Sequence, residues 1–187
     1  MKSKVTSLLL VISLFFSFSS LSYAKKETTS PEDILKAKYP NEIVKLIKTD
    51  DINLDKKKES FILTETGNFY LINSKGYVVL IDTGLTNDNF NELQFNIFSV
   101  SKKEKHIAII GTYSPSNTQA FVYRLKNGSL VKVLDVMGDV DVQIDQKGRV
   151  HQLWKKHKEE GGWILAQGTF TWNPKKEKYK GSGDYVL

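Results

Sequence analysis

The chain contains no cysteine. Disulfides, thiol nucleophiles and thiolate zinc sites are therefore excluded, and a packed core must hold the fold by itself. Histidine is scarce too. His106, His151 and His157 are the three present, and no two stand at the H-x-x-x-H spacing of a helical metal site. No G-x-S-x-G elbow, P-loop or dinucleotide-binding glycine fingerprint occurs. Long apolar runs are lacking as well, with one exception at the N-terminus.

That exception reads as an export signal. Lys2 and Lys4 precede the apolar stretch Ser7 to Phe18, and Ser22-Tyr23-Ala24 supplies small residues where a signal peptidase tests them. The pattern predicts cleavage after Ala24. The run is short for a bilayer-spanning helix, which needs roughly 18 or more apolar residues. No comparable run follows, so no transmembrane span is expected once the signal is removed. The expected location is outside the cell or at its wall. The signal carries two of the 27 basic and none of the 21 acidic residues, leaving the mature chain at +4. The excess is mostly lysine. It reads either as a solvated surface that keeps an exported protein soluble, or as contacts to anionic neighbours such as wall polymers. Nucleic acid is not an expected partner, because no single segment concentrates the charge and the compartment is wrong.

Residues 25–42 read as a polar leader and a short helix. Ser30 can cap, Pro31 suits the first helical position, Asp33 favours the helix N-terminus, and Pro40 stops the helix near Lys38. Residues 43–187 read as one β-rich domain. Ile43 to Lys48 is expected to be a strand, and short β-branched and aromatic runs follow, separated by turn residues. Lys126-Asn127-Gly128-Ser129 and Asp145-Gln146-Lys147-Gly148 read as hairpin turns.

Aligning the turns suggests three related units, from about Ile43 to Gly84, Leu93 to Gly138, and Asp139 onward. Each has room for about four strands, the size of a propeller blade. Three units fall short of the roughly four to eight blades of a closed ring. The expected fold is therefore mainly β: antiparallel meanders in about three blade-like units, forming an open propeller-like stack or a sandwich, with a short N-terminal helix.

The segment Asp51-Ile52-Asn53-Leu54-Asp55-Lys56-Lys57-Lys58-Glu59, followed by the apolar strand Ser60 to Thr64, resembles the loop of FG-GAP/VCBS-type repeats. Those are blade-like units of exported and surface proteins. The resemblance implies calcium, with Asp51, Asn53 and Asp55 as ligands and Glu59 as a fourth, because alternate oxygen side chains can converge on one hard cation. The chain departs from that pattern at the turn glycine, which is Lys56, and in the two following lysines. The alternative is a turn whose side chains bond local amides.

Asp82, Asp135, Asp139 and Asp141 are the carboxylates that folding could pair, and they recur at expected strand ends, where Asp is a common turn residue. Trp154, Trp163 and Trp172 cluster with Phe170 and Tyr179, as a core or as a sugar-stacking face. These features point to a binding or interaction module rather than an enzyme, with a wall polymer, a carbohydrate or a surface protein as partner. The expected contacts are the lysine-rich segments Lys56–Lys58, Lys102–Lys105, Lys155–Lys158 and Lys175–Lys180, together with the aromatic third unit. The alternatives are a small secreted hydrolase with a discontinuous carboxylate site, or an inhibitor of a secreted partner.

Overall fold

The computed structural model describes residues 29–86 and 90–184. The expected signal peptide, its cleavage site and most of the polar leader lie outside the described residues. Helix α1 (Pro31–Lys38) begins as its sequence requires. The Ser30 hydroxyl accepts the Asp33 amide at 3.1 Å, and Glu32 and Asp33 occupy the positive end of the helix.

Twelve strands follow among the described residues: β1 (Val44–Asp50), β2 (Glu59–Thr64), β3 (Phe69–Ile72), β4 (Val78–Asp82), β5 (Phe90–Ser101), β6 (Glu104–Tyr113), β7 (Asn117–Lys126), β8 (Ser129–Gly138), β9 (Asp141–Ile144), β10 (Val150–His157), β11 (Trp163–Asn173) and β12 (Lys178–Gly183). They form three antiparallel sheets of four strands, β1–β4, β5–β8 and β9–β12, each in chain order. The sheets coincide with the three units read from the turns, and no sheet closes into a barrel.

Side-chain alternation explains the stacking. On the middle sheet, Ile107, Ile109, Phe121 and Tyr123 face the first sheet and pack on Phe61, Leu63, Phe69 and Leu71. The intervening Ala108, Ile110, Ala120 and Val122 face the third sheet and pack on Val142, Val150, Phe170 and Trp172. Successive side chains on a strand point to opposite faces, so one strand feeds both cores. The free face of the first sheet is covered by α1, whose Leu35 packs with Ile62, Tyr70, Ile72 and Val78. The free face of the third sheet carries Gln167, Thr169, Lys180 and Ser182, which are polar. A stack of three sheets therefore ends at a helix on one side and at hydrophilic side chains on the other, and needs no ring closure to bury its apolar faces.

The hairpin turns follow local chemistry. Asn127 and Gly128 both take positive φ, at 52° and 80°. Gly148 is required twice over: its φ is 71°, and a Cβ there would lie 2.2 Å from the Ser99 carbonyl oxygen. That close approach seats the β9–β10 turn of the third sheet on β5 of the second.

Replacing Leu35 by Ala is expected to remove about 2–4 kcal/mol of stability, read as a lower urea midpoint, because it empties a filled site between α1 and the first sheet. Lys36→Ala, on the exposed side of the same helix, is expected to leave the midpoint unchanged.

Candidate functional site

Antiparallel connectivity sorts the turns by end. The β1–β2, β3–β4, β5–β6, β7–β8, β9–β10 and β11–β12 connections lie at one end of the stack, and the reverse connections lie at the other. At the first end the three sheets part around a cleft of about 660 Å³. Ile52, Leu125 and Pro174 give it an apolar floor, and Lys102, Lys103, Lys105 and Arg124 surround that floor with cations. A neighbouring hollow joins Leu54 and Lys102 to Lys147 of the β9–β10 turn. The lysine segments 56–58, 102–105 and 175–180 are far apart in sequence, and their turns belong to this one end, although Lys180 itself lies along β12, paired with Thr171.

Two of the cleft cations are tied into the fold. Lys105 Nζ lies 3.1 Å from Asp50, and the Arg124 guanidinium lies 3.1 Å from Glu104 and 3.0 Å from Glu177. Lys102 and Lys103 form no ion pair among the described residues. They stand at the rim as uncompensated charges.

Beneath the cleft a polar cluster joins the middle sheet to the third. Glu104 lies 3.2 Å from His106 Nε2 and accepts the Trp172 indole N–H at 2.9 Å. His106 Nδ1 lies 3.0 Å from the Tyr179 hydroxyl. An ionised carboxylate only accepts, so His106 donates from Nε2 to Glu104 and accepts the Tyr179 hydroxyl's hydrogen bond at Nδ1. The Arg124 guanidinium lies over the Trp172 ring, 5.1 Å from its centroid. Burial pushes the His106 pKa down to about 4, against the opposing pull of Glu104 and with help from the Arg124 charge. The imidazole is therefore neutral in the fold at neutral pH. Burial, reinforced by the Glu104 charge, raises the Tyr179 hydroxyl above its ordinary range. The sequence reading missed this cluster. Its one local signal is an acid, Glu104, set inside the lysine run 102–105.

Asp51, Asn53, Asp55 and Glu59 do come together in one loop beside the cleft. Asp51 accepts the amides of Asp55 at 3.1 Å and Lys56 at 2.7 Å, Asn53 accepts Asp55 N at 2.9 Å, and Asp55 accepts Lys57 N at 2.8 Å. Glu59 is buried at the foot of the loop, accepting the Ile52 amide at 3.3 Å. Burial, with Asp55 and Asp51 nearby, raises its pKa. Leu54 and Lys56 take φ of 63° and 69°, so Lys56 adopts a left-handed conformation where the resembled family has glycine. Among the described residues, no group of three or more His, Cys, Asp or Glu side chains is arranged to hold a metal.

Of the other sequence candidates, Asp82 and Asp135 meet at one lysine. Asp82 lies 2.9 Å from Lys132 and accepts the Tyr123 hydroxyl at 2.8 Å; Asp135 lies 3.9 Å from the same lysine. Burial acts to raise the Asp82 pKa, but the bonds from Lys132 and Tyr123 outweigh it and hold the carboxyl below its ordinary value. Asp139 accepts the Lys155 amide, and Asp141 accepts those of Val142 and the Gln143 side chain. His151 lies between Asp145, at 3.0 Å, and Thr169, at 3.2 Å, on the free face of the third sheet. Phe170, Trp172 and Tyr179 are core, whereas Trp163 is exposed. Lys155–Lys158 lies at the opposite end of the stack from the other three lysine segments, because β10 runs away from the cleft.

Two measurements probe this end. Below pH 6.5 the unfolded chain binds a proton that folded His106 refuses, so stability is full above 6.5 and falls as the pH drops toward 4. The loss is expected to approach about 3 kcal/mol, in urea midpoints taken from pH 7 to 4. His106→Gln should flatten that slope, and an unchanged slope would remove His106 from the explanation. Asp51→Ala strips acceptors from two amides and is expected to cost about 1–2 kcal/mol, equally in calcium and in chelator. A calcium-induced rise in Tm that the variant lacks would instead place the cation in the loop.

Compared with family models, with curated proteins and with solved structures, the chain matches none, so the reading of this end rests on its own residues.

Proposed function

We propose that this protein is an exported binding module whose basic end holds an anionic polymer of the cell envelope, one bearing phosphate or carboxylate groups. The observation that carries the reading is a cleft lined by residues of all three sheets, with Lys102, Lys103, Lys105 and Arg124 around its floor, Lys147 in the adjoining hollow, and Lys102 and Lys103 in no ion pair among the described residues. Cations gathered over a concave surface raise the local concentration of an anionic chain, and each contact releases counterions, so such binding weakens steeply with salt. The apolar floor of Ile52, Leu125 and Pro174 accepts the uncharged backbone of the polymer between its charged groups. The export signal and the resemblance to surface-protein repeats support the same compartment.

The test uses the mature chain, sedimented with isolated anionic wall polymer across a salt series. Wild type is expected to be retained at low salt and released as salt rises. Changing Lys102 and Lys103 to Glu is expected to weaken retention at least tenfold. A variant with two lysines outside this end changed to Glu (Lys36 and Lys45) carries the same net charge and should retain most of the binding. Equal losses in both variants would reduce the effect to net charge and reject the basic end as a site.

A further inference from the structure

At the other end of the stack the third sheet narrows. β9 stops where Asp141 pairs with Leu153, and β12 stops where Gly183 pairs with Gly168. Beyond those points, among the described residues, β10 and β11 pair only with each other, from Trp154 with Ala166 to His157 with Trp163. The described residues outside the ribbon that bond to it do so at its root. Asp139 accepts the Lys155 amide, and Asp184 accepts the Trp154 indole N–H and lies 3.7 Å from Lys156. The result is a two-stranded ribbon that leaves the stack, an arrangement of marginal stability in water by itself.

This ribbon carries three large apolar residues in succession, Trp163, Ile164 and Leu165, which are 50, 48 and 55% exposed. An exposed run of that kind is a liability unless something covers it. Strand alternation puts Trp163 and Leu165 on one face and Ile164 on the other. Each stands directly across the ladder from a basic residue or histidine: His157, Lys156 and Lys155 in turn. The turn at the tip carries the opposite sign, Glu159 and Glu160. Neither glutamate forms an ion pair among the described residues.

We propose that this ribbon is a self-association element, and that its occupant is the same ribbon of a second copy, laid antiparallel about a two-fold axis. Three conditions select that occupant. It must cover the face that carries Trp163 and Leu165, offer anions to the shaft at Lys155 and Lys156, and offer cations to the tip at Glu159 and Glu160. A second ribbon run in the opposite direction meets all three, because its acidic tip falls on the basic shaft of the first and the reverse, the self-complementarity of a two-fold interface. An anionic bilayer suits the apolar residues and the shaft but would meet the two glutamates first. The proposal is independent of the basic end, and pairing through the ribbons leaves that end uncovered in each copy, so a dimer would engage one polymer at two places.

Sedimentation velocity of the mature chain, from micromolar to several hundred micromolar, tests it. The expected result is a doubling of the weight-average mass with concentration. Ile164→Ser/Leu165→Ser is expected to stay monomeric with its far-UV circular dichroism unchanged. The decisive pair is Glu159→Lys/Glu160→Lys and Lys155→Glu/Lys156→Glu. Each alone should be monomeric, because tip and shaft then repel, and an equimolar mixture should form a heterodimer. A wild type that stays monomeric throughout, a dimer indifferent to the serine variant, or a mixture no more associated than its parts would overturn the proposal. So would wild-type binding to phosphatidylglycerol vesicles that the serine variant loses while the dimer persists, which would assign the ribbon to lipid.

Discussion

The structure depends on a middle sheet that is apolar on both faces. β6 and β7 are long enough to load each face with a full row of side chains: Ile107, Ile109, Phe121 and Tyr123 one way, Ala108, Ile110, Ala120 and Val122 the other. Neither outer sheet could bury its inner face without that partner, and the chain has no disulfide to substitute for it. The small residues Ala108 and Ala120 lie on the side that receives Phe170 and Trp172, so ring volume from the third sheet fills what the middle sheet leaves open. Burial on both sides also explains why three units are enough. Over the body of the stack the outer faces are closed by a helix and by polar side chains, and the exposed Trp163 and Leu165 lie on the projecting end of β11.

The two sheet junctions differ in character. The first has an apolar core with its polar contacts at the margins, Asp50 with Lys105 and Asp82 with Lys132 and Tyr123. The second combines an apolar core with the Glu104–His106–Arg124–Trp172–Tyr179 cluster. Inside a low-dielectric junction such bonds are directional, and a group left without its partner is costly. They therefore fix how the third sheet sits on the second. That seating holds Arg124 and Glu104 at the cleft and brings the β11–β12 turn against the β5–β6 turn. The chemistry of the basic end thus rests on a structural contact just beneath it.

Much of the fold was legible locally. Ser30, Pro31 and Asp33 mark the helix start, Asn127-Gly128 and Gly148 mark turns, and the alternating apolar runs mark strands, because each is settled by a few adjacent residues. The division into three units also followed from turn spacing. The aromatic cluster of the third unit was legible only in part: Phe170, Trp172 and Tyr179 alternate inward, whereas Trp163 falls on a part of β11 that extends past every neighbouring strand but β10. The Asp51 loop was legible as one local assembly, since its side chains bond amides two to five residues away.

What the sequence determined by itself was the local geometry: strands, turns, the helix, and lysines in about half of the turns. Only the tertiary structure decided which of those lysines act together. Lys56–Lys58, Lys102–Lys105 and Lys175–Lys178 look equivalent to Lys155–Lys158 in the chain, yet three segments share one end and the fourth lies at the other. Antiparallel pairing reverses direction at every turn, so the end a turn occupies depends on how many strands precede it. Whether turns from different sheets meet depends on how the sheets stack. Both are properties of the whole assembly and of side chains far apart in sequence, which is why the cleft, the polar cluster beneath it and the free ribbon became visible only in three dimensions.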